Sequence, residues 1–85
     1  MTRTKTTTDA AGYQHHTYTN GADYSIGQLV ASADQTAAGW SVTLGWYERN
    51  GWNNSVEFVV AYNQPRTTYK TLAAAEKRIA KHIAA

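Results

Sequence analysis

Three groups of residues carry side chains with chemistry to offer: the adjacent pair His15-His16, the carboxylates Glu48 and Glu57 on either side of an Asn-Gly dipeptide, and the cations Arg66, Lys70, Lys77, Arg78 and Lys81. Two histidines can hold a metal ion only if both reach it. Neighbouring side chains on a strand point to opposite faces, so His15 and His16 cannot close on one ion, and the chain has no His-x-His. His82 falls in the last turn of a predicted helix, where a cation complements the helix dipole. A carboxylate pair does acid–base work only where a pocket shifts a pKa. Glu48 and Glu57 lie at one hairpin beside Arg49, an arrangement that reads as solvated edge charge. The chain has no nucleophile elbow, phosphate-binding glycine loop or dinucleotide fingerprint. It has no cysteine, which removes disulfides, thiolate zinc sites and thiol catalysis. The expectation is a non-enzyme with no metal, cofactor or small-molecule substrate.

The elements that must position these residues are strands followed by one helix. Trp40-Ser-Val-Thr-Leu-Gly-Trp46 alternates cleanly, with Trp40, Val42, Leu44 and Trp46 on one face. Val56 to Tyr62 pairs back, and Pro65 breaks the chain beyond it. Tyr13–Thr19 is rich in the strand formers Tyr and Thr. Tyr24–Ala33 fits a strand better than a helix, because Gly27, Ser32 and Asp34 oppose helix formation; Asp34 to Gly39 reads as a loop. Asn20-Gly21 and Asn50-Gly51 suit two-residue turns, in which both central residues take positive φ. At the end, Thr71 can cap a helix in which Leu72, Ala75, Ile79 and Ile83 form one apolar stripe. Residues 1–12 are polar, lack periodicity and read as a flexible tail. Residues 13–85 then form one α+β domain: an antiparallel meander of three or four strands, made of two hairpins, with the C-terminal helix packed on one face.

Composition and charge narrow the partners. The 85 residues include only twelve Val, Leu, Ile and Phe, and three Trp and six Tyr supply the remaining apolar area. A core this thin makes a homodimer a reasonable expectation. No stretch approaches the roughly 18 apolar residues of a membrane span and no leader-type apolar segment opens the chain, so the expectation is a soluble, cytoplasmic protein away from membranes. Net charge is +2, but it is unevenly spread: +1 over residues 1–12, −3 over 13–62 and +4 over 63–85. An acidic sheet sits poorly against phosphates, whose sequence-independent binding comes from Lys and Arg.

In element order, residues 13–84 resemble the single-stranded-DNA-binding cofactors of the Whirly type, which bind nucleic acid across the sheet. Here the cations lie on the helix instead. Lys77, Arg78 and Lys81, with Arg66 and Lys70 just before them, are the nucleic-acid candidates. A single helix covers one sheet face and leaves the other open, and that face is expected to carry Tyr47, Val59 and Ala61. Interface cores are poor in charge and rich in Tyr and Trp. The leading expectation is therefore protein–protein contact, with a target or with a second copy, through Tyr47, Arg49, Trp52, Asn53, Val59 and Tyr62. In size and simple topology the chain is similar to the small accessory proteins of phages and plasmids, such as anti-CRISPR and anti-restriction inhibitors, which implies occlusion of a larger nucleic-acid-processing machine. A nucleic-acid-binding module using the basic helix is the alternative.

Overall fold

The computed structural model describes residues 1–21 and 26–83. Five strands, β1 (Thr2–Thr8), β2 (Gln14–Thr19), β3 (Leu29–Thr36), β4 (Gly39–Arg49) and β5 (Val56–Val60), precede one helix, α1 (Leu72–Ile83). The strands form one antiparallel sheet in the order β1-β2-β3-β4-β5, so the chain meanders without a crossover. The α+β class, the meander and the C-terminal helix agree with the sequence reading. The strand number does not: five are present where three or four were expected.

The additional strand is β1. Thr2–Thr8 was expected as a tail and is instead paired along its length with β2. Thr is β-branched and favours the extended backbone. The hairpin is closed by Asp9, whose carboxylate accepts from the N–H groups of Ala11 and Tyr13 at 2.9 and 3.0 Å, an Asx-type turn. Every β1 residue is exposed, which is why no hydrophobic period marked it.

Neither Asn-Gly dipeptide closes a two-residue turn. Thr19 pairs with Val30, so Asn20-Gly21 opens a longer connection; Tyr24 and Ser25, expected in a strand, lie outside the described residues. Asn50-Gly51 opens a loop in which the N–H of Asn50 donates to Ser55 O (2.7 Å) and that of Asn54 to Asn50 O (3.0 Å). The positive φ there, 62°, belongs to Asn54 rather than to Gly51. The tight turn lies where a loop was expected, at Ala37-Ala38, because Thr36 pairs directly with Gly39.

The helix begins at Thr71, whose hydroxyl accepts from the N–H of Ala74 at 3.2 Å, an N-cap. It packs over β3 and β4. Ala75, Ile79 and Ile83 are buried against Ala31, Ala33, Trp40, Val42 and Leu44, with Tyr18 beside them. Ala31, Ala33 and Ala75 are small enough to bring the helix close to the sheet. Gly39 is held by a similar fit: its φ is 132°, and a Cβ there would run into the carbonyl of Tyr69. That contact belongs to a bridge in which Trp40 and Tyr69 exchange backbone bonds of 2.6 and 2.8 Å.

β4 is longer than β5, and the chain after β5 covers the difference. Gln64 acts as a detached peptide group: its Oε1 accepts from Leu44 N–H (2.7 Å), while its Nε2 donates to the carbonyls of Leu44 (2.5 Å) and Ala61 (2.6 Å). With Tyr69 beyond it, the outward backbone groups of Leu44 and Trp40 on the β4 edge are satisfied from within the chain.

Candidate binding surfaces

The face opposite the helix differs from the expectation. Register places Thr17, Ser32 and Thr43 in one row across it, with His15, Asp34 and Ser41 beside them. It is a hydroxyl-rich surface, because β2 and β3 place Thr17, Thr19, Ser32 and Thr36 on that side. Its apolar part is the corner of Val30, Tyr47, Val56, Phe58 and Val60. Val30 is fully buried there and Tyr47 is only 8% exposed.

The expected protein-contact residues do not form one patch. Tyr47 pairs with Phe58, and their rings meet edge to face at 6.5 Å. Val59 pairs with Trp46 and so stands on the helix side, opposite the face assigned to it. The N–H of Ala61 donates to Leu44 O (2.9 Å), which places it on the helix side too. The cause is the length of the 50–55 loop: one residue of register moves every side chain to the other face. Arg49, Trp52 and Asn53 are exposed at the hairpin tip, with Trp52 98% exposed. Tyr62 is fully exposed beyond the other end of β5.

What unites several of these residues is the edge they border. β5 ends the sheet. Antiparallel backbone groups alternate toward and away from the partner strand. Since Ala61 N–H points at β4, the N–H and C=O of Phe58 and Val60 point outward. Val60 is 56% exposed beside this edge. The alternation of Val56-Glu-Phe-Val-Val60 was visible in the sequence, but no local signal tells an edge strand from a central one.

The expected cationic set is partly gathered. Lys77, Arg78 and Lys81 line one open groove of about 310 Å³ together with Ala74 and Tyr69. Arg66 and Lys70 are exposed on the connection before the helix and do not line it. Tyr69 was not assigned to this group; only the fold of residues 61–71 brings it there. The other flank of the helix is tied down. Glu76 accepts from the Tyr18 hydroxyl (2.6 Å) and from the Arg3 guanidinium (2.7 Å) at the same oxygen. Arg3 also lies over the Tyr18 ring, 5.7 Å from its centroid. Burial works to raise the Glu76 pKa, but the Tyr18 and Arg3 hydrogen bonds outweigh it and hold the group below its ordinary value. Burial, and then the bond to Glu76, push the Tyr18 phenol well up.

The histidines occupy opposite faces, as the strand argument required. His15 donates from Nε2 to Asp9 (2.9 Å) and from Nδ1 to Asp34 (2.8 Å). Two donating nitrogens describe an imidazolium, and these bonds, that to Asp9 first, raise its pKa. His16 is 2% exposed, stacked on Trp40 at 5.5 Å, with Nδ1 2.9 Å from the Thr6 hydroxyl. Its Nε2 has no partner. A bare acceptor is tolerated more readily than a bare N–H, which favours the tautomer that donates from Nδ1. Burial is the main force lowering its pKa. Glu48 and Glu57 do stand opposite each other across β4 and β5. Each is turned to a neighbour, Glu48 accepting from Trp46 Nε1 (2.8 Å) and Glu57 from the Asn50 amide. His82 donates to the Gly45 carbonyl at 2.9 Å. Among the described residues no group of three His, Asp or Glu side chains is placed to hold a metal ion, and no helix is long and apolar enough to cross a membrane.

No protein-family model matches the chain, and comparison with curated proteins and with solved structures returns no match.

Proposed function

We propose that this chain is a non-catalytic binding protein that acts through protein–protein contact, taking an extended strand of its partner onto the β5 edge. The observation that carries this reading is the outward backbone of Phe58 and Val60 on an apolar, sparsely charged edge strand. Strand addition uses main-chain bonds for affinity and the flanking side chains for selectivity. The flanking side chains here are Val56, Phe58 and Val60 on one side, with Trp52 and Tyr62 at the ends.

A second copy fits this edge. With Phe58 opposite its own copy about a two-fold axis, the apolar row of Phe58 and Val60 continues across the junction. The magnitudes make this contact weak. A few backbone bonds at about 0.5–1.5 kcal/mol each work against an association cost of about 4–15 kcal/mol, so the apolar row has to supply the remainder. An interface of this size falls in the transient class. An occluding role of the inhibitor kind suits a protein that works by covering a surface.

The test is sedimentation velocity over a concentration series, comparing the wild type with Val60→Lys. A lysine on the outer edge is a device that blocks edge pairing. Self-association of the wild type that disappears in a folded Val60→Lys variant supports strand addition by a second copy. A wild type that stays monomeric to about 1 mM, equivalent to binding weaker than about 4 kcal/mol, overturns it.

A further inference from the structure

We infer that the flank of α1 facing away from Glu76 is a binding site for single-stranded nucleic acid, with Lys77, Arg78 and Lys81 on the phosphates and Tyr69 beside a base. This site is separate from the β5 edge and does not depend on it.

Three observations lead there. First, the three cations share one groove, and no carboxylate forms an ion pair with any of them among the described residues. The single acid of the helix, Glu76, is held on the opposite flank by Arg3 and Tyr18. The helix is therefore polarised across its width, and the positive flank is not neutralised from within. Second, the helix dipole does not account for the set. A favourable C-terminal cation belongs in the last turn; Lys81 is there, but Lys77 and Arg78 lie earlier in the helix. Third, the spacing suits a repeating anion. Lys77 and Lys81 are one turn apart, about 6 Å along the axis, so the charges form a row along the groove rather than a cup around a single ion.

The choice of ligand follows from the rest of the lining. Tyr69, half-buried against the core, forms part of the groove wall beside the small Ala74. An aromatic ring beside a cationic track is the combination used for single strands, whose unstacked bases offer a π-face whatever their identity. A duplex keeps its bases stacked and gains nothing from the ring. At about 310 Å³ the groove is at the small end of ligand pockets, which run from about 300 to 1,000 Å³.

The test uses the full chain and a fluorescein-labelled twelve-nucleotide oligo-dT, read by fluorescence anisotropy. Three phosphate contacts on a single strand give a log–log salt slope near −2, so affinity should fall about 20-fold between 50 and 200 mM salt. The triple variant Lys77→Ala, Arg78→Ala, Lys81→Ala should lose at least tenfold in affinity. It should keep its circular dichroism spectrum, because alanine is the best helix former. Lys5→Ala, which removes a cation on the far face of the sheet, should change affinity less than twofold. The proposal is overturned by no binding at 50 mM salt, by wild-type affinity in the triple variant, by a salt-independent affinity, by tighter binding of a duplex of the same length, or by equal competition from poly-glutamate at matched charge.

Discussion

The two edge strands do the same topological job by opposite means. β1 is held by polar and titratable groups: Arg3 reaches Glu76, Thr6 reaches His16, and Asp9 reaches His15 from the turn. Arg3, Asp9, His15, His16, Tyr18 and Glu76, whose pKa values are moved, lie on the β1–β2 hairpin or touch it. β5 is held by shape. Gly45 lies so close under it that a Cβ would meet the carbonyl of Val59 and the ring of Phe58. The difference extends to what each edge shows. β1 carries Arg3 and Lys5 and a register shift at Thr4, features that natural sheets use to discourage pairing. β5 carries one charge, Glu57, and no such irregularity. The lesson is that one edge is protected by its composition and the other carries no such protection.

The largest effect is expected at Gly45. Gly45→Val should drive its side chain into the β5 backbone and cost about 3 kcal/mol by overpacking, seen as a lower urea midpoint. Amide exchange should quicken in β5 and stay slow in β2. If β5 keeps its protection, the strand is not held by this fit. Next comes Glu76→Ala, which leaves the buried Tyr18 hydroxyl without an acceptor. The expected loss is about 2 kcal/mol, with roughly half restored in Glu76→Gln, because its amide oxygen still accepts. Equal losses in the two variants would show that the hydrogen bond is not what ties the helix to β2.

A third effect separates the adjacent histidines by sign. The raised pKa of His15 gives stability that is fully present below the unfolded value near 6.5 and is lost as pH rises through the folded value. The lowered pKa of His16 works the other way: the fold binds it neutral, so stability falls as pH drops below about 6.5. The two slopes act on opposite sides of about 6.5, so the wild type should be most stable near that pH and weaken in both directions. His15→Gln should leave a fold that weakens on acidification, and His16→Phe one that weakens as the medium turns alkaline. Melting temperatures at pH 5, 6, 7 and 8 (the interval roughly bracketing imidazole titration) decide it; parallel curves for the two variants would refute the assignment. The smallest effect belongs to the hairpin tip. Gly51 has open space around it and no positive φ. Gly51→Ala should therefore change stability by less than about 0.5 kcal/mol, and a larger loss would restore the two-residue turn.

These contrasts also explain which parts could be read from the residues alone. The Trp40–Trp46 alternation and the Leu72–Ile83 stripe were legible because burial imposes a period on any element that covers a core. β1 buries nothing, so only the β-propensity of its threonines marked it, and that signal resembles a polar tail. The Asn-Gly pairs misled because a dipeptide reports local preference, whereas the partner strands fixed where the turns fell: Thr36 opposite Gly39 placed the tight turn at Ala37-Ala38. The face of Val59 was lost by a single residue of register. For the candidate sites, Lys77, Arg78 and Lys81 were legible from helical spacing. Tyr69 in their groove and the outward backbone of Phe58 and Val60 depend on topology, which no local pattern contains.

The register shift at Thr4 has a consequence for assembly. Two copies joined through β5 about a two-fold axis would present β1 at both outer ends of the combined sheet. An interrupted, cationic strand at each end gives a third copy no regular template. Growth would stop at a closed pair instead of propagating into a fibre, although the β5 edge carries no such interruption.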